Sequence, residues 1–440
     1  MKSYIKIVLI IVSLFLSVNI FAQKQWKLED CIGYALQNNI TIKRQALQTE
    51  IANNNLTQSK IDILPDLSAY ESHTLSSGFS QGENNVKAVS VNSLGYFGVS
   101  SNLIVFNGLQ KIYTIKLHKY DFQTSIQNLK VAQNSIAINI ASFYLQVLSS
   151  KEALEVAQNQ LEISKLQIER TKKLVEVGNL ARSSLLEIEA QAASDEATEV
   201  DSKNKLDLAY LNLAQLLDLD TLKNFQIFIP QDISLPESFF DNADSIYFIA
   251  VNNMPEIKSG EYALMSAKSK VSIARGSRFP QISLQAGYGS NYDLKLLPAY
   301  PLKNQINDFA SKTLTLNLSV PIFTKYQLQK NINNAKISAQ DAEFDLKQKK
   351  ITLRKDIEQA FEDALASFQN FKARSKAADA NEENFKYQQQ KFDVGLVNSF
   401  DYNTAKNNYT KAQLDLVQSK YDFIFKTKIL EFYKGNSIKL

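Results

Sequence analysis

The sequence predicts a mainly α-helical protein made of two tandem structural repeats, each a long coiled-coil hairpin with two β-strands. Three observations lead to this fold class. Apolar residues recur every seven places, the pattern occurs twice at a fixed offset, and helix-breaking residues are scarce, with 13 glycines and 8 prolines in 440 residues. Because glycine and proline interrupt helices, their scarcity predicts long ones.

The second repeat shows the hairpin most clearly, around Gly395 in the stretch KFDVGLVNSFDY. A strict seven-residue repeat before the glycine predicts a left-handed coiled coil, and a helical apolar stripe follows it. We expect Gly395 to end the first helix and Ser399 or Asp401 to cap the second. The apolar positions are Ile357, Ala364, Phe371, Ala378, Phe385 and Phe392, then Tyr402, Ala405, Tyr409, Ala412, Leu416 and Tyr421.

The first repeat carries the same Val-Gly pair at residues 177–178, an offset of 395 − 178 = 217 residues. Shifting the six heptad positions back by that offset again gives only apolar residues. Self-similarity at so long a period predicts duplicated domains rather than a solenoid of short units. The shifted positions are Ile140, Val147, Leu154, Leu161, Ile168 and Val175.

The pattern predicts six helical stretches and four strands, in a chain of five segments. The segments are a first repeat at 23–217, an inter-repeat segment at 218–244, a second repeat at 245–434 and a C-terminal tail at 435–440, after a leader at 1–22. Predicted helices are Leu28–Ile63 with a break near Asn38, Asn107–Val177, Ser183–Leu217 and Ser245–Arg278 with a break near Pro255, besides the second hairpin.

The predicted strands lie at about 65–77 and 93–106 in the first repeat, and at about 279–292 and 312–323 in the second. In the second pair, apolar and polar residues alternate over about ten residues, the length and pattern of a transmembrane β-strand. A soluble sheet with one buried face would show the same alternation. The chain between the strands is expected to form a polar loop at 78–92 and a long outward-facing loop at 293–311.

Residues 1–22 predict a secretory signal peptide, with Lys2 and Lys6 before an apolar run and Ala22 at the cleavage site. The alternative is an N-terminal membrane anchor, but the run is shorter than the roughly 20 residues that span a bilayer. The strands of an exported chain are therefore expected to form a transmembrane β-barrel. Cys31, the single cysteine, is predicted to be a buried thiol.

Composition and motifs argue against several classes of function. The net charge is +4, from 49 basic and 45 acidic residues, and no basic tail or patch suggests nucleic-acid binding. His73 and His118 have no partners at metal-ligand spacing, so no metal site or cofactor is expected. The sequence has no catalytic triad arrangement, phosphate-binding glycine loop or HExxH motif, and we expect no enzyme activity.

The doubled order of helix, proline-led strand pair and hairpin with Val-Gly at its tip resembles the TolC family of outer-membrane efflux and secretion channels. Pro65 and Pro280 stand in register, as do Phe106 and Phe323 at the strand ends. The resemblance implies a homotrimer with one twelve-stranded β-barrel in the outer-membrane lipid and one α-helical barrel in the periplasm. The inter-repeat segment and the C-terminal tail would form a belt around the α-barrel.

The resemblance also assigns roles to the hairpin tips. Gly178, Asn179 and Leu180 in the first repeat, and Gly395, Leu396 and Val397 in the second, would contact a periplasmic adaptor. Asp401 matches a position where the family narrows the pore entrance with acidic residues. Thr404 and Ser184 stand where a further acidic residue often occurs. Asp401 is also expected to interact favourably with the helix dipole at its N-terminus.

The implied function is a passive exit duct that receives cargo from an inner-membrane pump through the adaptor. The alternative is a soluble periplasmic coiled-coil adaptor or structural protein. An adaptor is expected to have one helical hairpin between β-rich flanks, whereas this sequence has two, each with its own strand pair.

Overall fold

The computed structural model describes residues 25–81, 87–219, 225–230 and 242–440. The predicted signal peptide lies outside the described residues, as do 220–224 and 231–241 of the inter-repeat segment. In chain order the elements are β1 (Gln25–Trp26), α1 (Leu28–Asn38), α2 (Ile40–Ile61), β2 (Ser68–Gln81), β3 (Lys87–Asn107), α3 (Gln110–Glu176), α4 (Arg182–Leu216), β4 (Gln226–Ile227), α5 (Ala243–Asn253), α6 (Pro255–Gly276), β5 (Gln281–Asp293), a 3₁₀ helix (Leu294–Leu296), α7 (Leu302–Asp308), β6 (Ala310–Ser319), α8 (Gln327–Asp393) and α9 (Ser399–Tyr433).

The helices repeat in length as well as in order. α3 and α8 each have 67 residues, and α4 and α9 each have 35. The predicted breaks near Asn38 and Pro255 are confirmed, since α1 gives way to α2 at Asn39 and α5 to α6 at Met254. Pro255 opens α6, where its missing N–H costs no hydrogen bond. Within the described ranges, no helix is both long enough and apolar enough to cross a membrane.

The described chain divides into two compact units, each built from both repeats. Unit 1 contains residues 25–44, 131–254 and 352–440, and unit 2 contains 45–130 and 255–351.

Unit 2 contains an antiparallel sheet of four strands in the order β2-β3-β5-β6. β3 and β5 pair from Leu94 with Asp293 down to Asn107 with Gln281, so one strand of each repeat lies at the centre of the sheet. β2 and β6 are its two edges. The predicted alternation is confirmed in β6, where Leu314, Leu316 and Leu318 share one face and remain 74%, 69% and 66% exposed.

Three strand boundaries differ clearly from the sequence prediction. β2 continues to Gln81 and β3 begins at Lys87, so residues 78–81 and 87–92 of the predicted polar loop are strand, and 82–86 lie outside the described residues. The segment shows little apolar alternation, but cross-strand backbone hydrogen bonds hold a hairpin whatever its side chains. β6 ends at Ser319, and Phe323 therefore lies outside the strand, unlike Phe106 in β3. Pro321 has no N–H to continue the ladder.

Glycines in the sheet make room for aromatic rings. A Cβ atom on Gly95 would lie 2.0 Å from the ring of Tyr292, and a Cβ atom on Gly289 would lie 2.3 Å from the hydroxyl of Tyr96. Tyr292 also stacks on His73, with ring centroids 5.7 Å apart. Aromatic rings laid over cross-strand glycines cover backbone that would otherwise be bare, and they help to fix the register.

Unit 1 has its largest core where the first and last segments of the described chain meet the long helices. The hydroxyl of Tyr144 on α3 donates to the carbonyl of Phe228, at 2.6 Å, and so ties α3 to the segment after β4. Cys31 is fully buried here, as predicted. The core also includes residues from the inter-repeat segment and the tail: Phe225, Ile227 and Ile438.

Candidate functional site at the hairpin tips

Two hairpin tips lie in unit 1. The first hairpin is α3 and α4 joined by the turn 177–181, and the second hairpin is α8 and α9 joined by the turn 394–398. Gly178 and Gly395 both have positive φ, at +79° and +75°. In each turn the residue after the glycine donates its N–H to a carbonyl five residues earlier, Asn179 to Leu174 at 2.9 Å and Leu396 to Lys391 at 2.8 Å. This is the Schellman pattern of a glycine-terminated helix.

The six predicted adaptor-contact residues divide into exposed and packed positions. Gly178, Asn179, Gly395 and Leu396 are exposed, and Leu396 has 74% of its surface free. Leu180 and Val397 are half-buried and pack against a cluster beneath the tips. Val177 and Val394, just before the two glycines, are 69% and 70% exposed. Each tip therefore exposes apolar side chains: Val177 at the first, and Val394 and Leu396 at the second.

The N-cap of α9 differs from the prediction. Asn398 caps the helix, and its side-chain oxygen accepts the N–H of Asp401 at 2.9 Å. Ser399 instead donates its hydroxyl to Glu187 of the first hairpin. Asn, Ser and Asp are all good caps, so the choice depends on which of them has the extended backbone that precedes a helix. In the first hairpin, Ala181 holds the cap position and offers no side-chain acceptor.

Of the three predicted constriction residues, Ser184 and Asp401 lie in the first turns of α4 and α9, and Thr404 lies in the second turn of α9. Asp401 and Thr404 are exposed, and Ser184 is half-buried. Ser184 occupies the position equivalent to Asp401, since 401 − 217 = 184. The carboxylate of Asp401 stands at a helix N-terminus, where the dipole favours negative charge. In the described part of the chain, none of these three side chains hydrogen-bonds to another of them.

Beneath the second tip lies an aromatic cluster. Phe392 and Tyr402 stack with ring centroids 5.0 Å apart, and Phe385 and Tyr409 stack at 5.6 Å. Ile188 of the first hairpin completes the packing and is 1% exposed. Stacked rings stabilise by about 0.5–1.5 kcal/mol beyond the area they bury. The cluster therefore anchors both helices of the second hairpin and joins them to the first.

Tyr402 places a phenol inside this apolar cluster. It is 1% exposed, and its hydroxyl has no hydrogen-bond partner among the described residues. Burial raises its pKa above the ordinary tyrosine value, and the charges of Asp393 and Asp195 raise it further. The phenol therefore stays protonated and contributes to the site by packing.

A buried charge pair, which the sequence analysis did not identify, links the two hairpins below the aromatic cluster. Lys406 of α9 is 1% exposed, and its ammonium group contacts the carboxylate of Asp195 on α4 and the hydroxyl of Ser164 on α3. Ser164 also donates to Asp195, whose other oxygen accepts from Gln191 at 2.9 Å. Burial lowers the pKa of Lys406, and Asp195 opposes that shift. We call Lys406, Asp195 and Ser164 the buried charge cluster.

Further polar contacts join the hairpins on either side of this cluster. Arg170 and Asp393 form an ion pair at 2.7 Å. The amides of Gln191 and Asn407 exchange two hydrogen bonds at 2.9 and 3.0 Å, and Gln160 donates to Gln413 at 3.0 Å. Every contact runs from the first hairpin to the second. The two tips are therefore fastened by polar groups as well as by rings.

The polar cluster changes which residues of the first hairpin are buried. In the second hairpin, five of the six heptad positions are buried as predicted, with only Phe371 half-buried. In the first hairpin, Ile140, Val147 and Leu161 are buried, but Leu154, Ile168 and Val175 are only half-buried. The residues buried nearer the tip are Ser164, Gln167 and Thr171. Near the first tip the shifted heptad positions are therefore less buried than Ser164, which contacts Lys406, and than Gln167, which donates to Thr171.

Across the described residues, no three His, Cys, Asp or Glu side chains are grouped so that they could hold a metal ion. His73 lies in β2, and His118 lies in α3 near Asp121, at 3.8 Å.

Comparisons with known proteins cover most of the chain. The sequence profile of a family described as "Outer membrane efflux protein" matches residues 31–218 and 247–426. The chain is similar to "Outer membrane protein TolC" of Vibrio cholerae serotype O1, with 21% identity over 405 residues that cover 90% of this chain and 88% of the relative. It is also 21% identical to "Toxin and drug export protein A" of Aggregatibacter actinomycetemcomitans, covering 91% of this chain and 84% of that one.

Solved structures share the fold. The outer membrane channel CmeC of Campylobacter jejuni superposes with a TM-score of 0.80 and 18% identity, covering 94% of this chain and 86% of that one. Because 94% of this chain is covered, the agreement extends into both repeats.

Proposed function

Because the chain belongs to the outer membrane efflux protein family and is an outer-membrane exit duct for efflux, we propose that it works as a homotrimer. The observation that supports this proposal is the open four-stranded sheet, whose apolar face remains exposed in one chain. A four-stranded sheet is too narrow to close by itself, since barrels need about eight strands. Three copies would pair each β2 edge with a neighbouring β6 edge, giving twelve strands on an α-helical barrel.

The proposed transport is passive. A water-filled duct selects little by itself, so an inner-membrane pump would choose the cargo and a periplasmic adaptor would connect the pump to this channel. The exposed apolar residues at the tips, Val177, Val394 and Leu396, support a docking role for the tips. The alternative of a soluble adaptor is not supported, because the family match extends through both repeats.

The proposed entrance is formed where three copies of the tips converge. Asp401 would place three carboxylates around the threefold axis, with Thr404 one turn further along and Ser184 at the equivalent position of the first hairpin. Like charges in a narrow opening reinforce one another and attract cations. The exposure of Asp401 supports this assignment.

The test is the assembly of the exported protein. We expect outer-membrane fractions to yield a detergent-solubilised trimer by size-exclusion chromatography with light scattering. Cysteines at Ala69 on β2 and Leu316 on β6, introduced in a Cys31→Ala background, would be screened with neighbouring edge positions for a disulfide between copies. A soluble monomer would contradict the proposal, and so would a trimer that no pair of edge cysteines can cross-link.

A further inference from the structure

The chain between β5 and β6 is an ordered structure rather than an open loop. It contains the 3₁₀ helix and α7, and we call residues 294–309 the β5–β6 segment. Gln305 fastens it to the strand end: the side chain is fully buried, accepts the N–H of Asp293 at 2.7 Å and donates to the carbonyls of Asp293 and Tyr300 at 3.1 and 2.8 Å. A buried side-chain amide with three hydrogen bonds holds its helix in one place.

The segment lies on a defined face of the sheet. Ser290 is completely buried, and its hydroxyl donates to the carbonyl of Gln305 at 3.3 Å. Side chains two residues apart in a strand share a face, so Ser290 belongs with Leu284, Ala286 and Tyr288. Leu284, Ala286 and Tyr288 pair with Leu316, Leu314 and Lys312 of β6, respectively. α7 therefore packs on the face of the sheet that carries Leu284 and Leu316, at the Asp293 end of β5.

The β5–β6 segment is rich in large apolar residues that remain partly exposed. Five such side chains lie within sixteen residues, in a segment that packs on the same face of the sheet as Leu314 and Leu316. Apolar surface left in water costs about 25 cal/mol per Å². A group of exposed apolar side chains therefore indicates a surface that contacts something other than water. They are Leu294, Leu296, Leu297, Leu302 and Phe309, which are 42%, 41%, 42%, 38% and 45% exposed.

We propose that the β5–β6 segment is an interfacial anchor that inserts these side chains into the outer leaflet of the outer membrane. The inference rests on the proposed barrel, in which the apolar face of the sheet contacts lipid, and it extends that contact beyond the strands. The occupant of the surface is lipid. Amphipathic elements lie at the boundary between headgroups and acyl chains, where lysines such as Lys295 and Lys303 keep their charges in the headgroup layer.

Spin-label accessibility in liposomes tests the proposal. Single cysteines replace Leu296 or Phe309 in a Cys31→Ala background, and the reconstituted trimer is probed with molecular oxygen, which concentrates in lipid, and with a water-soluble nickel chelate. Leu316→Cys is the lipid reference and Asn179→Cys the water reference. We expect both segment labels to lie nearer the lipid reference than the water reference in their oxygen-to-nickel ratio.

The references separate two failures. If Leu316→Cys is lipid-like while Leu296→Cys and Phe309→Cys match Asn179→Cys, the anchor is wrong and the barrel stands. If Leu316→Cys is itself water-like, the proposed barrel fails and the anchor with it.

A second variant tests the positioning role of Gln305. Gln305→Ala should shift the Phe309→Cys label toward the water reference, because α7 loses its hydrogen bonds to the strand end. Asn307→Ala, an exposed position on the same helix, is the matched control and should leave the label unchanged. Equal ratios in the two variants would overturn the positioning role.

Discussion

The two hairpin tips have the same backbone conformation but different side chains at the cap and beneath the turn. Gly178 and Gly395 have nearly the same φ and end their helices with the same hydrogen bonds. The second tip adds a side-chain cap and supplies the aromatic rings, whereas the first has an alanine at the cap position and contributes aliphatic residues such as Ile188 to the same cluster. The two repeats therefore share the geometry of the turn but not the side chains that cap it and pack beneath it.

The buried polar residues of the first hairpin are explained by their contacts with the second hairpin rather than by the sequence pattern of the first. Ser164 and Asp195 face Lys406, so the buried side of the first hairpin is complementary to a cation on the second. An unpaired charge in a protein interior costs several kcal/mol, which makes the pairing of the two hairpins selective.

The largest expected effect comes from breaking the buried charge cluster. Lys406→Met should destabilise the protein by about 3–5 kcal/mol, because it leaves Asp195 buried without its cation. The double variant Lys406→Met with Asp195→Leu should recover most of that loss, since apolar replacements of a buried ion pair are often neutral. Denaturation followed by far-ultraviolet circular dichroism measures both, with the exposed Lys411→Met as control. A double variant as unstable as the sum of the singles would contradict the pairing.

The next effect compares equivalent interior positions in the two tips. Phe392→Ala should cost about 3–5 kcal/mol, as expected for a buried aromatic residue. Its counterpart Val175 is half-buried, so Val175→Ala should cost about 1 kcal/mol. The same denaturation experiment applies. Equal losses at the two positions would show that the tips do not differ in the way their burial indicates.

The tip glycines should respond alike, because their backbones are alike. Gly395→Val or Gly178→Val forces a β-branched residue into the left-handed region, at a cost of about 1–2 kcal/mol. A Cβ atom meets no neighbour within 4 Å at either site, so the strain comes from the backbone alone. We expect weaker adaptor cross-linking and reduced export while the trimer remains in the membrane. Wild-type export in Gly395→Val would refute the role of the tip.

The N-cap residues of α4 and α9 can be tested by opposite substitutions, asparagine to alanine in one tip and alanine to asparagine in the other. Asn398→Ala should destabilise the start of α9 by about 1 kcal/mol, and Ala181→Asn should stabilise the start of α4 by a similar amount. Hydrogen exchange with mass spectrometry reports the local change. Faster exchange is expected around Asp401, whose N–H loses its acceptor. If Asn398→Ala leaves the exchange of that peptide unchanged, the cap does not contribute to the order of the tip.

The smallest expected effect concerns ion preference. Asp401→Asn should lower the preference for cations in planar-bilayer recordings, and Ser184→Asp should raise it by adding a charge at the equivalent position of the first tip. Both changes should be largest at low ionic strength, since the Debye length grows to about 30 Å at 0.01 M. If neither variant shifts the reversal potential, Asp401 does not set ion preference, and its role is limited to the N-terminus of α9.

The sequence predicted the elements of the tips better than their contacts. Helix lengths, tip glycines and the second heptad follow from periodicity and backbone preference, which are local. The identity of the cap residue did not follow from the sequence, because Asn398, Ser399 and Asp401 are all good capping residues within four positions. The buried charge cluster was missed because its members lie on three helices. The available signal was the position of Lys406, four residues after Tyr402 and three before Tyr409, inside an apolar stripe.

The central pairing of β3 with β5 has a consequence for how the chain folds. Leu94 pairs with Asp293, 293 − 94 = 199 residues later, so the sheet cannot form until most of the chain has been made and exported. Contacts between residues so far apart in sequence slow folding, because the connecting chain must be ordered first. Until β5 arrives, the β2–β3 hairpin presents an unpaired edge that can join the wrong chain. We therefore expect biogenesis of this protein to depend on protecting the unpaired β3 edge during export.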